Sequence, residues 1–369
     1  MRADRSAPAR AFTFAGILML AACTNPQLRE PPIDPDVARA EIAKHLPAKL
    51  AHRDAWAVDM FAAFEALSIR PTPENICAVV AVTEQESTFQ VNPPVPGLAA
   101  IARREIDGRA ARYHIPAIAV NAALALESPS GGTYRERLDK VQTEKELNDI
   151  FADFINIVPL GGRMFGDLNP VRTAGPMQVS IAYAEQHADG KRYPYPIPTS
   201  IRNEVFTRRG GMYFGIAHLL DYPADYDDML FRFADFNAGH YASRNAAFQN
   251  AVSVLTKTSL ALDGDLLLHG DLANEPSKTE LAARRLADRL DLSEAAIRRD
   301  LERGDESDFA DTKLYKRVFD LGDKGRAKPL PRAVVPKIRL QSPKITRKLT
   351  TEWFAKRVDE RYERCLTRG

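Results

Sequence analysis

Glu84 and Glu86 close an apolar run, Ile76-Cys77-Ala78-Val79-Val80-Ala81-Val82-Thr83, and are the residues of this chain best suited to acid–base chemistry. On a period of 3.6, Glu86 shares a face with Val79, Val82 and Phe89, whereas Glu84 falls roughly opposite. A carboxyl on an apolar face loses hydration, so its neutral form is favoured and its pKa rises. That keeps a general acid protonated near neutral pH. The alternative is a helix running out of the core with both glutamates solvated. The helix itself is well specified: Thr72 can cap it, Pro73 suits its first position, Glu74 favours its positive end, and Pro93-Pro94 stops it.

The N-terminus indicates where such chemistry would operate. Arg2, Arg5 and Arg10 form a positive region before the apolar run Ala11 to Leu20, which is too short to span a bilayer comfortably. The run ends in Leu20-Ala21-Ala22-Cys23, which resembles the lipobox of bacterial lipoproteins. The resemblance implies that residues 1–22 are a signal peptide, that lipid is attached to Cys23, and that residues 23–35 tether the protein to the periplasmic face of the outer membrane. The other possibility is an ordinary signal peptide with a chance Cys.

Composition narrows the partners. The chain has 51 Lys+Arg against 49 Asp+Glu, a formal charge of +2. Removing residues 1–22 removes three Arg and one Asp, also +2, leaving a nearly neutral body with no pull toward nucleic acid. No Cys-x-x-Cys, His-Glu-x-x-His or histidine cluster occurs in the sequence, so neither a metal nor another cofactor is expected. With Cys23 lipidated, Cys77 and Cys365 are the remaining thiols, and an oxidising compartment permits a disulfide pinning the C-terminal helix to the glutamate helix. Two separate buried thiols are the alternative.

The elements that must position the glutamates read as helices. Residues 36–70 form two helices broken near Pro47, with Trp56, Met60, Phe61, Phe64 and Leu67 as a core stripe. Alanine-rich helices are expected at 98–113 and 116–127, and Thr143-x-x-Glu146 opens another through Ile157. Further helices follow at 200–220, 225–239 and 241–257, with Gly239 as a C-terminal cap.

Four segments then line up in order. Gln85-Glu86-Ser87-Thr88-Phe89 with Asn92-Pro93 resembles the Gln-Glu-Ser-x-Phe-Asn-Pro signature of the lytic transglycosylases, relatives of goose-type lysozyme. Gly175-Pro176-Met177-Gln178 is similar to their Gly-Leu-Met-Gln, Gly211-Met212-Tyr213-Phe214 to their Gly-x-Tyr-Leu, and Ala234 to Gly239 to their Ala-x-Tyr-Asn-Ala-Gly. The overall layout also resembles a family of proteobacterial lipoproteins in the lysozyme-like superfamily. The resemblance covers roughly 72–255 and implies cleavage of peptidoglycan glycan strands, with Glu86 as acid and then base. Ser87, Met177, Gln178, Phe236 and Asn237 would then line the substrate groove. Two departures stand out. Phe236 replaces the family's Tyr, removing a hydroxyl beside the acid, and some ninety residues between Glu86 and Gln178 make 95–165 an insertion. Asp167 lies in that stretch as a possible second acid, though a solvated loop residue is the simpler reading. A silent glycan-binding or scaffolding lipoprotein is the competing function.

The remainder, 263–369, reads as a helical and basic extension packed on the core. Residues 280–301 look like a helix-turn-helix. Behind a lipoprotein signal, DNA is out of reach, so two amphipathic helices are expected. Lys324 to Lys348 carries nine cations, no acid and several prolines; it reads as a solvated linker, with contact to anionic envelope polymer or phosphate-bearing lipid as the alternative, or as a strap if the disulfide forms. The fold expected is mostly α: a lysozyme-like helical domain over 36–262 with its insertion and this extension.

Overall fold

The computed structural model describes residues 33–157, 169–340 and 348–368. The chain divides into Met1–Asp34 and a body of Pro35–Gly369. The expected signal peptide, Cys23 and Asp167 lie outside the described residues. The body is mostly helical, with one two-stranded sheet among the described residues.

Helices α1 (Pro35–His45) and α2 (Arg53–Ala66) pack against one another and present Trp56, Met60 and Phe64 to the core. Between them and the rest lies α3 (Pro73–Glu86), where Thr72 accepts from the Asn75 N–H and Pro73 takes the first turn. Every residue from Ile76 to Thr83 is wholly buried. A helix apolar on all sides must be enclosed on all sides, and α3 is packed by α1, by α10 (Arg208–Leu220) and by the last helix, α17 (Thr351–Leu366). The apolar run before Glu84 is thus a core helix enclosed on all sides, as a buried helix requires.

The described part of the insertion holds four helices joined by turns: α4 (Leu98–Arg112), α5 (Ala117–Leu124), α6 (Tyr134–Lys140) and α7 (Glu144–Ile157). Thr143 and Glu146 make the expected capping box, each accepting from the other's backbone N–H at 3.2 and 3.0 Å. Helix α6 was not expected, although Thr133 and Glu136 cap it in the same way. Strands β1 (Thr173–Ala174) and β2 (Val179–Ser180) pair antiparallel and lead into α8 (Ile181–Gly190) and α9 (Ile201–Val205). After α10 come α11 (Met229–Ala238) and α12 (Ala242–Thr256).

Helix α12 carries a second core on its outer side. Ala247, Phe248, Ala251 and Val252 meet α13 (Lys278–Arg284), α14 (Ala287–Leu290), α15 (Glu294–Leu301) and α16 (Lys313–Asp323). The helix-turn-helix-like stretch is thus three short helices, and its Ala282, Ala283, Leu286, Leu290, Ile297 and Leu301 are buried in this core. Glu280 is fully buried and is neutralised by Arg284 at 2.6 Å and Arg298 at 2.9 Å.

The basic run is a strap in its described part, which corrects the solvated-linker expectation. Arg332 pairs with Asp323 at 2.8 Å, and the N–H groups of Val334 and Lys337 donate to Ser243 O and Leu262 O. Thr351 N–H then donates to Ile338 O. The strap delivers α17 onto α3 and α11, where Cys365 is bonded to Cys77 with Cα atoms 5.4 Å apart.

Candidate functional site

The motif segments meet around α10. Gly175 sits at φ +75° in the turn between β1 and β2, and its Cα packs on that of Gly211. A Cβ on Gly211 would lie 2.4 Å from Pro176 Cδ, and one on Gly215 would lie 2.4 Å from Met177 Sδ. Real side chains cannot approach so closely, so the glycines of α10 form the seat on which the Gly-Pro-Met-Gln turn rests. Met177 fills the notch over Gly215 and is wholly buried, so it supports the turn from below instead of forming groove wall as expected. Gln178 is half-buried at φ 48°, a left-handed conformation few residues with a side chain adopt. Its Nε2 donates to Gly175 O and its Oε1 accepts from Thr173 Oγ1. Its amide therefore serves to hold the turn.

The glutamate segment shows a comparable bend. Ser87 is buried and donates to Thr83 O. Thr88 and Phe89 follow at φ 52° and 62°, two successive residues in the left-handed region, one of them β-branched. Phe89 anchors the bend by packing edge-on against Trp56, with ring centroids 5.2 Å apart. Glu86 is half-buried at the end of α3. Glu84, half-buried on the other side, faces α17, with Oε2 3.6 Å from Arg368 Nη2, an ion pair too long for a hydrogen bond.

The third segment ends α11. Phe236 is almost fully buried, with its ring 5.0 Å from that of His218 and its carbonyl 3.2 Å from His218 Nε2. Asn237 is exposed, and its Oδ1 accepts from Thr351 Oγ1 at 3.0 Å. Between these residues and α12 the chain is fixed by Asp235, fully buried, which accepts from the Tyr222 and Tyr226 hydroxyls and from the Tyr241 and Ser243 N–H groups. Burial pushes the Asp235 carboxyl above its usual range, while these donors pull the other way.

The chain belongs to the family described as "Protein of unknown function (DUF1615)", whose model matches residues 49–368. It is similar to "Uncharacterized protein YaiW" of Escherichia coli (strain K12), 54% identical over 366 residues, covering 98% of this chain and 99% of that protein. No solved structure matches. The family match runs across both cores and through both bonded cysteines, so the extension belongs to the family's structural unit.

Sequence reading missed the imidazoles behind Phe236 because His187, His218 and His240 come from three separate stretches. His218 and His240 stack at 4.6 Å, Tyr222 stacks on His240 at 4.1 Å, and Tyr183 lies 4.5 Å from His218. Since a carbonyl only accepts, the contacts of His218 Nε2 with Phe236 O and of His240 Nε2 with His218 O fix both as donors. His187 Nε2 meets Asp221, which also pairs with Lys191. Burial, then the neighbouring His240, holds the His218 pKa down to about 3, so the ring is neutral. His45, Cys77 and Cys365 also cluster tightly, but the bonded sulfurs leave no thiolate to ligate a metal.

Proposed function

We propose that this is a membrane-anchored enzyme that cleaves peptidoglycan glycan strands by intramolecular transglycosylation, with Glu86 as its one general acid/base. The observation that carries the reading is the position of Glu86. It is half-buried at the end of a fully enclosed helix, directly before the left-handed pair Thr88 and Phe89. Strained backbone of this kind persists where surrounding packing over-determines it, and it clusters at functional sites. The Glu86 carboxyl would protonate the glycosidic oxygen as the C–O bond breaks. The sugar's 6-hydroxyl would then bond to the anomeric carbon and return its proton to Glu86, giving an anhydro-sugar end. Lipid on Cys23 would hold the enzyme at the periplasmic face of the outer membrane, so Cys23→Ala should accumulate as unprocessed precursor.

A silent glycan-binding lipoprotein is the second reading. It is favoured by Phe236 in place of the family's Tyr and by the Gln178 amide being taken up within its own turn. Digestion of purified sacculi with a soluble form lacking residues 1–23, followed by mass analysis, separates the two. Anhydro-muropeptides are expected from the wild type and from Glu84→Gln, and none from Glu86→Gln. Reducing-end products would indicate a lysozyme, and no products from the wild type would leave the binding reading standing.

A further inference from the structure

The Cys77–Cys365 bond lies against a third group that glycan cleavage does not use. His45 ends α1, Cys77 sits in α3 and Cys365 in the last turn of α17, so three separate helices converge here. All three side chains are buried, His45 at 1% exposure and both cysteines at 0%. His45 Nδ1 is 3.5 Å from Cys77 Sγ, and one donor atom from each of the three residues lies within 4.8 Å of the others.

The imidazole is oriented from its other side. Its Nε2 lies 3.2 Å from Oε1 of Glu41, one turn earlier on α1, and the other oxygen of that carboxylate pairs with Lys44. A carboxylate only accepts, so Nε2 carries the proton and Nδ1 is the nitrogen turned to the sulfurs. A carboxylate behind the ring is the usual outer support of a metal-bound histidine. Nδ1 also lies 3.4 Å from Cys365 O, a contact longer than an ordinary hydrogen bond. The His45 backbone is tied to the same place, because its carbonyl accepts from Arg368 Nη1 at 3.2 Å.

While the sulfurs are bonded to each other they ligate nothing. A dithiol reductant changes that: it supplies two electrons and two protons, closes to its own disulfide, and leaves Cys77 and Cys365 as thiols. Two thiolates and an imidazole suit Zn2+. Bond lengths of about 2.3 Å to sulfur and about 2.0 Å to nitrogen in a tetrahedron require donor atoms about 3.5–3.8 Å apart. The His45–Cys77 spacing already meets this, and the freed sulfurs reach it by rotation about their Cα–Cβ bonds. Access comes from the chain end. Cys365 stands one residue from the end of α17 with Thr367 and Arg368 exposed behind it, so fraying of the last turn uncovers the bond.

We propose that reduction converts the Cys77–Cys365 disulfide into a Zn2+ site ligated by Cys77 Sγ, Cys365 Sγ and His45 Nδ1, with water in the fourth position. Zn2+ displaces the two thiol protons as it binds. Glu41 is the positioning residue that turns the ring. The ion restores the link between α3 and α17 that reduction opens, and adds α1 to it. The site does not depend on glycan cleavage.

The soluble form lacking residues 1–23 keeps the whole helical body and serves for the test. It is reduced with a phosphine, freed of it without oxygen, given Zn2+ and gel-filtered. The reduced chain should retain about one equivalent of Zn2+ that the disulfide form does not. Zn2+ should raise the melting temperature of the reduced chain alone, which reports binding to the folded state. It should also shield both thiols from alkylation. Glu41→Gln should weaken binding by about tenfold or more, and His45→Ala by at least as much. Glu41 is only half-buried, so the disulfide form of Glu41→Gln should melt as the wild type does. Three results would overturn the proposal: equal Zn2+ retention by the reduced and disulfide forms, a reduced chain that Zn2+ does not stabilise, or wild-type affinity in both variants.

Discussion

Thr351, at the start of the last helix, donates its hydroxyl to Asn237 Oδ1, while Cys365 near the end of that helix is bonded to Cys77. Helix α17 thus joins the end of α11 to the body of the glutamate helix, and the turn that follows it places Arg368 opposite Glu84. The bond closes a loop of 288 positions. In the chain-entropy model such closure is worth on the order of 5 kcal/mol, and native strain or denatured-state structure reduces it. The Cys77→Ala/Cys365→Ala double variant should lose about 3–5 kcal/mol in urea unfolding. Unreduced wild type should take up no alkylating reagent at either position. Equal stability of the two proteins would show that packing alone holds α17.

The glycine seat under the Gly-Pro-Met-Gln turn makes a sharper local prediction. Gly211→Ala places a methyl 2.4 Å from Pro176 Cδ and 2.9 Å from Val205 O, so the turn must lift. Destabilisation of about 1–3 kcal/mol is expected, with loss of any glycan cleavage. Gly108→Ala is the control: it meets nothing within 4 Å inside α4 and should gain up to about 1 kcal/mol. If both substitutions behaved alike in thermal melts, the close approach of the turn to α10 would be refuted.

Local rules were readable in the chain, and long-range ones were less so. Thr72-Pro73 and Thr143-x-x-Glu146 fixed helix starts because a cap is a contact within four residues. The Cys77–Cys365 bond was legible by compartment and count. The strap followed from that bond in outline, but its course did not, since its hydrogen bonds reach backbone at Ser243 and Leu262, and such partners leave no mark on the sequence of the run itself. Met177 and Gln178 were assigned to a groove from motif resemblance. Their packing against Gly215 and Gly175 depends on how the turn seats on α10, which spacing does not encode. The histidine cluster was invisible for the same reason.

Phe236→Tyr asks whether the departure from the lytic-transglycosylase pattern matters. The ring is nearly buried over His218, whose Nδ1 is buried and has no hydrogen-bond partner among the described residues. An added hydroxyl costs about 1–3 kcal/mol if it finds no partner there. If it reaches an acceptor, or restores a contact to the acid, activity should stay level or rise with melting temperature unchanged. A fall in both would show that this face is arranged differently from the groove the motifs imply.

The same imidazole gives the protein a dependence on pH with a definite sign. Burial holds His218 near a pKa of about 3 in the folded state, against about 6.5 for an unfolded chain. Between those values the unfolded state binds a proton that the folded state refuses, so stability must fall as pH drops below about 6.5. The slope is at most about 1.4 kcal/mol per pH unit from this group, and His240, also lowered by burial, adds in the same direction. Glu146, held low by the Gln142 N–H, and Asp323, held low by Arg332, lose their contributions nearer the ordinary carboxylate range. Asp235, pushed up by burial, opposes the trend as pH falls, so the comparison of urea midpoints with a His218 variant from about pH 7.5 down to about pH 5 is what isolates the imidazole. His218→Gln, which cannot titrate, should be less stable at the upper end yet show a flatter decline. Parallel slopes for wild type and variant would mean that His218 is protonated as readily in the folded protein as in the unfolded chain.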